Sequence, residues 1–165
     1  MTVDQSKNGR KVLKVPDVDK MSSLNINDLC KLRPTSLHWN KSFTVFGISM
    51  NDGQLAVGGT GKYDRSAPIP ANLTKVEVFF IKGEHLMHSM RFIGDTEITI
   101  GNVDKFRTPA NERKGRMEEF IVGPGEEMLG CELDCDDFCT FGVTWITWKP
   151  PSPLEMSKIL LGRPL

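Results

Sequence analysis

An all-β domain, a β-sandwich or β-prism of Greek-key sheets with one short helix at each end, is the fold class this sequence predicts. Three observations predict it. From Trp39 to Lys149, apolar residues recur with a period of two in short runs. Gly, Pro and Asn-Asp-Gly clusters punctuate those runs. Helix-capping signals flank the region, at Ser23 and Ser152.

Residues 1–20 carry five basic and three acidic side chains with few large apolar groups, the composition of a mobile arm. Residues 21–38 form a short helix and linker: Ser23 caps a helix over 24–32 and Pro34 stops it. The β domain is expected over 39–149. "SFTVFGISM" places Phe43, Val45 and Gly47 on one face and Thr44, Phe46 and Ile48 on the other, and Asn51-Asp52-Gly53 is a tight turn. "QLAVGGTGKYDRSAPIPAN" has the composition of a loop. Val76, Val78 and Phe80 then alternate with Lys75, Glu77 and Phe79, and Leu86, His88, Met90 and Phe92 continue the pattern after a turn at 82–84. "GDTEITIGN" adds a short strand, "KFRTPANERKGR" a polar loop, and "MEEFIV" a strand ending at "GPGEE". The tail, 150–165, is a short helix over 153–161. Pro153 takes its first position, Glu155 completes a capping box with Ser152, and Gly162 and Pro164 end it. So short a helix is marginal alone, so Leu154, Ile159, Leu160 or Leu161 must dock on the chain's own sheet or on a neighbour.

The stretch "GCELDCDDFC" at 130–139 crowds three cysteines and three aspartates together. Numbered by parity, Cys131, Leu133, Cys135, Cys139, Phe141, Val143 and Trp145 share one face, and Glu132, Asp134, Asp136, Thr140 and Thr144 the other. That is a half-buried hairpin turning at Asp136-Asp137, with cysteines packed as small hydrophobes. A C-x3-C-x3-C spacing fits no common zinc or iron–sulfur pattern, so core packing is favoured over a metal or a redox site. No metal or cofactor is expected.

Lys and Arg (21) equal Asp and Glu (21), so global charge argues for no nucleic-acid or membrane partner. No apolar run approaches the roughly 18 residues of a membrane span. The polar N-terminus lacks a signal peptide's apolar core, which makes an intracellular chain with reduced thiols the expectation. The sequons at Asn40 and Asn72 then carry no glycan. An enzyme is not expected. His85 and His88 point to opposite faces, His38 sits at a segment boundary, and no nucleophile elbow, phosphate loop or dinucleotide fingerprint occurs. "GGTG" at 58–61 precedes no helix, and the paired acids at 118–119, 126–127 and 136–137 are of the solvated kind.

A family pattern runs over about residues 53–149. "GGTGKYD…LTKVEVFFIKGEHLMHSMRFI" resembles the opening of a jacalin-like lectin domain, and "EEFIVGPGEEMLGCELDCDDFCTFGVTWITW" resembles the family's closing pair of strands. The resemblance implies a β-prism of three Greek-key sheets and a non-enzymatic binding role. Family sugar sites use a G-x-x-x-D loop near the last strand. Here Cys139 stands where that aspartate falls, and Gly130-x-x-x-Asp134 lies within the preceding strand. A carbohydrate site would therefore have to use Asp136 and Asp137, with Gly58 and Gly59 giving close backbone approach.

Charge patterning suggests a different role. Lys105, Arg107, Arg113, Lys114 and Arg116 face a single acid, Glu112, within 105–116. An acidic edge with eight acids and no base follows over 118–137, including Glu126, Glu127, Asp134, Asp136 and Asp137. One basic loop and one acidic edge suit head-to-tail self-association. On charge, the arm and the end helix, the first expectation is a self-assembling subunit of viral matrix or coat type. Its basic loop would meet anionic membrane lipid or nucleic acid. A carbohydrate-binding lectin module is the alternative.

Overall fold

The computed structural model describes residues 2–5, 10–16, 30–59, 61–81, 87–101 and 115–161. Its first strands, β1 (Thr2–Gln5) and β2 (Lys11–Val15), fall in the segment expected as an arm, so that expectation is corrected. "KVLKV" alternates well enough to bury Leu13 and Val15 on one face, and β2 adds antiparallel to β11 (Glu127–Cys135). Its polar neighbours mask that short alternation in the sequence. With β12 (Thr140–Trp148) these strands form a sheet of order β1-β2-β11-β12.

The second sheet, of order β5-β4-β3-β6, holds β3 (Pro34–Trp39), β4 (Phe46–Met50), β5 (Leu55–Gly58) and β6 (Arg65–Pro68). Three expectations shift here. The β domain begins at Pro34 rather than Trp39. Of the helix expected over 24–32, Cys30 and Lys31 are helical, Leu32 is buried outside it, and 24–29 lie outside the described residues. The supposed loop at 54–72 yields β5 and β6, where β6 leaves each of its four side chains exposed or half-exposed and so carries no hydrophobic signal. Phe43 and Val45 are buried in the turn before β4 rather than on one face of a strand, with Phe43 at φ 58°. Asn40 shapes that turn: its Oδ1 accepts from the Thr44 and Val45 N–H groups (2.9 and 3.1 Å) and its Nδ2 donates to Thr44 Oγ1 (2.8 Å).

The third sheet, of order β10-β7-β8-β9, matches the alternation expected of it: β7 (Lys75–Ile81), β8 (Met87–Ile93), β9 (Glu97–Gly101) and β10 (Gly115–Ile121). The turn at 82–84 and the loop at 102–114 lie outside the described residues. The chain closes with α1 (Pro153–Leu160), whose capping box forms as expected. Ser152 N–H donates to Glu155 Oε2 (2.8 Å) and Glu155 N–H to Ser152 Oγ (3.2 Å).

Three four-stranded antiparallel sheets, not two, enclose one core, so the architecture is a prism rather than a sandwich. Each sheet sends an aromatic ring to the centre. Trp145 of β12 meets Phe46 of β4 at 6.3 Å and Phe92 of β8 at 5.7 Å between ring centroids, both edge-on, the arrangement that ring quadrupoles favour. The parity reading of the last hairpin holds along β11 to Cys135 and along β12 at Val143 and Trp145, and slips between them. Register passes from Asp134↔Gly142 to Cys135↔Thr140, so Phe141 is an extra residue in a bulge. Thr140, expected outside, is therefore fully buried, and Phe141, expected inside, is half-exposed.

Candidate functional site

The β11–β12 turn closes one end of the prism and is held by its own first residue. Asp136 Oδ1 accepts from the N–H groups of Phe138 (2.7 Å) and Cys139 (2.8 Å), and the Asp136 N–H donates to the Cys139 carbonyl (3.0 Å). Those two side-chain contacts hold the Asp136 carboxyl below the usual carboxylate range, against a smaller opposing effect of burial. With Asp136 turned inward to the loop, Phe138 is left 75% exposed and the Asp137 carboxylate lies open beside it.

Gly58 and Gly59, at the end of β5, buttress this turn. A Cβ at Gly58 would stand 2.5 Å from Thr140 Oγ1, and one at Gly59 (φ +91°) would stand 3.2 Å from both the Phe138 and Thr44 carbonyls. The Gly59 N–H donates to the Cys135 thiol. All four residues of the expected sugar loop, Gly58, Gly59, Asp136 and Asp137, therefore meet at one end of the molecule. Their roles differ: the glycines and Asp136 shape the turn, and Asp137 and Phe138 face outward.

The start of β2 supplies the cations. Arg10 forms a two-pronged pair with Asp134, Nε to Oδ1 at 3.0 Å and Nη2 to Oδ2 at 2.6 Å, while its guanidinium lies 3.8 Å from the centroid of the Phe141 ring. Lys11 Nζ lies 2.6 Å from Asp137 Oδ1, and this contact raises the Lys11 pKa above its ordinary value. The sequence alone marks neither Arg10 nor Lys11 as a site residue. The signal that points to them is the basic pair heading the alternating "KVLKV".

The acidic edge does not form one edge. β11 runs the length of the sheet and separates Glu126 and Glu127 from Asp134, Asp136 and Asp137 by about 27 Å. The acids are also engaged within the chain: Glu127 by Arg33 (3.0 Å), Glu126 by the Gly123 N–H (3.3 Å), Asp134 by Arg10 and Asp137 by Lys11. Of the basic loop, Lys105, Arg107, Arg113 and Lys114 lie outside the described residues. Arg116 sits 4.1 Å over the Phe80 ring and 3.4 Å from Glu118.

Cys131 and Cys135 are buried on the inner side as parity predicts, and Cys139 is half-buried in the turn ahead of the buried Thr140. Burial pushes all three thiols up, Cys131 farthest, which keeps them protonated and poor nucleophiles. His38 Nε2 lies 2.9 Å from Ser49 Oγ, but its Nδ1 is buried with no hydrogen-bond partner, so no acid orients the ring as a serine nucleophile requires. Among the described residues no three His, Cys, Asp or Glu converge on a metal position, and no helix is long and apolar enough to cross a membrane.

No protein-family model matches the chain, and no curated protein matches it. Solved structures do. The V. cholerae biofilm matrix protein Bap1 aligns at TM-score 0.51 and 10% identity over 90% of this chain, which spans 23% of the Bap1 chain. The second β-prism domain of RbmC from V. cholerae, bound to N-acetylglucosaminyl-β-1,2-mannose, aligns at TM-score 0.49 and 12% identity, over 88% of this chain and 98% of that one. Calystegia sepium agglutinin aligns at TM-score 0.47 and 12% identity, over 90% and 95%. The likeness is one of fold. The chain is built as a β-prism of three antiparallel sheets, the architecture that the jacalin-like resemblance implies.

Proposed function

We propose that this chain is a non-enzymatic binding domain that takes a carbohydrate at the prism end built by the β11–β12 turn. The observation that carries this reading is the convergence there of a self-braced turn, an outward carboxylate, two cations and an exposed ring. A saccharide presents hydroxyls that both donate and accept, and an apolar C–H face. Asp137 accepts, Lys11 and Arg10 donate, and Phe138 offers a flat apolar surface beside them. Asp136 spends its Oδ1 on two loop N–H groups, so the turn is rigid before any ligand arrives and little ordering cost remains. Where the jacalin-like pattern has its aspartate this chain has Cys139, and Asp137 two positions earlier supplies the acceptor.

The charge pattern that pointed to a matrix- or coat-like subunit loses weight, because its acids are paired within the chain and divided between the two ends. The test is a glycan array followed by calorimetric titration of the best ligand. Hydrogen bonds to charged groups set the scale, so Asp137→Asn should weaken binding about ten- to hundred-fold, and Phe138→Ala should also weaken it. Silence across a broad array, or binding that neither substitution disturbs, would overturn the reading.

A further inference from the structure

The opposite end of the prism carries a second surface with different chemistry. A cleft of about 910 Å³ opens between the 69–74 and 121–128 connections and Arg33. That is the size range of sites that enclose a whole small ligand, about 300–1,000 Å³. Its apolar lining comes from Ile69, Leu73, Ile121, Pro124 and Met128, with Ile121 59% exposed, and Glu126 stands exposed among its lining residues.

The same end carries an apolar feature exposed among the described residues. β12 finishes where β11 begins, Glu127 opposite Trp148, so α1 leaves from the cleft's end of the molecule. Leu154 and Leu161 are 68% and 67% exposed. Leu161 follows α1 directly and continues its turn, its N–H donating to the Ser157 carbonyl (3.1 Å), so the two leucines, seven positions apart, share one side with Lys158 between them. Met156 lies on the opposite side and is half-buried, whereas the two leucines are turned away from it and face out.

We infer that α1 of one copy lays Leu154 and Leu161 into the cleft of a second copy, which returns its own helix in exchange. Three points favour a second copy over the chain's own cleft. Pro150 and Pro151 fix the backbone of the linker in an extended form. The linker starts at the cleft, since a Cβ on Gly125 would stand 3.6 Å from Lys149 Cε, which leaves no slack for a fold-back. Rolling the helix over would also expose Met156. Charge agrees: Lys158, between the leucines, meets Glu126. This is the helix-in-groove mode of recognition, made twice across a two-fold axis. The β11–β12 turns then lie at the two outer ends of the pair.

Sedimentation velocity on the full chain over two decades of concentration tests this. The mass should rise from one chain to two. Leu154→Glu with Leu161→Glu, and separately Ile121→Glu, should each raise the dissociation constant more than about tenfold. All three positions are exposed in the single chain, and an unchanged circular dichroism spectrum will show that the variants fold. Mixing the two variants should give hetero-dimers, because the intact helix of one meets the intact cleft of the other. A wild-type chain that stays monomeric throughout would overturn the inference, as helix docking in cis would produce. So would dimers that survive both variants.

Discussion

Substituting Gly130 with alanine should separate β2 from β11. A Cβ at that position would stand 1.9 Å from the Val15 carbonyl oxygen, 2.8 Å from its carbon and 2.5 Å from Pro16 Cδ. The oxygen lies about 1.5 Å inside ordinary contact, and it is backbone, so no rotamer change relieves the clash. Ladder hydrogen bonds near 2.9 Å cannot stretch by that distance and survive. Overpacking that is partly relaxed costs about 1–3 kcal/mol. If β2 detaches instead, Leu13 (8% exposed) and Val15 (0%) lose their burial, at about 1.5–3 kcal/mol each. The two bounds bracket a loss near 3 kcal/mol, which for a chain of this length lowers Tm by roughly 6–12 °C. Gly142, opposite Asp134 on the partner strand, is the internal control. No atom lies within 4 Å of its would-be Cβ, so Gly142→Ala should be neutral or stabilise by up to about 1 kcal/mol. Calorimetric melts of the two variants decide it. Equal melting temperatures would refute the argument from β2's close approach.

Two further outcomes are expected. Burial holds the His38 pKa below its ordinary 6.5, so the unfolded chain takes up that proton first. Stability should therefore fall as pH drops through 6.5 toward the lower folded value, and His38→Gln should flatten the slope of Tm against pH over that window. The burial-raised thiols of Cys131 and Cys135 should resist a disulfide reagent at pH 8 in the native protein and react when it is denatured, read by mass spectrometry of the labelled peptides.

Local patterns were readable wherever the deciding interaction was itself local. The Ser152–Glu155 box and the turn at Asp136-Asp137 each involve residues within three positions, and both formed as the residue types dictate. The alternation of Val76, Val78 and Phe80 survived because β7 is the second strand of a four-strand sheet, with one face on the core. β6 was unreadable because it is an edge strand exposed along its length. Parity failed at Thr140 and Phe141 alone, where one bulged residue adds a position to β12, while Val143 and Trp145 beyond it keep the inward face. The site was half readable. Asp136, Asp137, Gly58 and Gly59 carry their own turn chemistry, whereas Arg10 and Lys11 join them through a strand pairing that no local pattern announces.

That pairing also sets a schedule for the chain during its synthesis. Arg10 and Asp134 are 124 positions apart, and β2 has no partner on its inner side until β11 has been made. At about 5–20 residues per second the interval is roughly 6–25 s. Through it Leu13 and Val15 remain uncovered while the two later sheets are still being completed. Contacts this distant in sequence also slow folding in free solution. The β1–β2 pair therefore waits longest between its own synthesis and that of its partner, and its apolar face is the one a nascent chain must keep from other chains the longest.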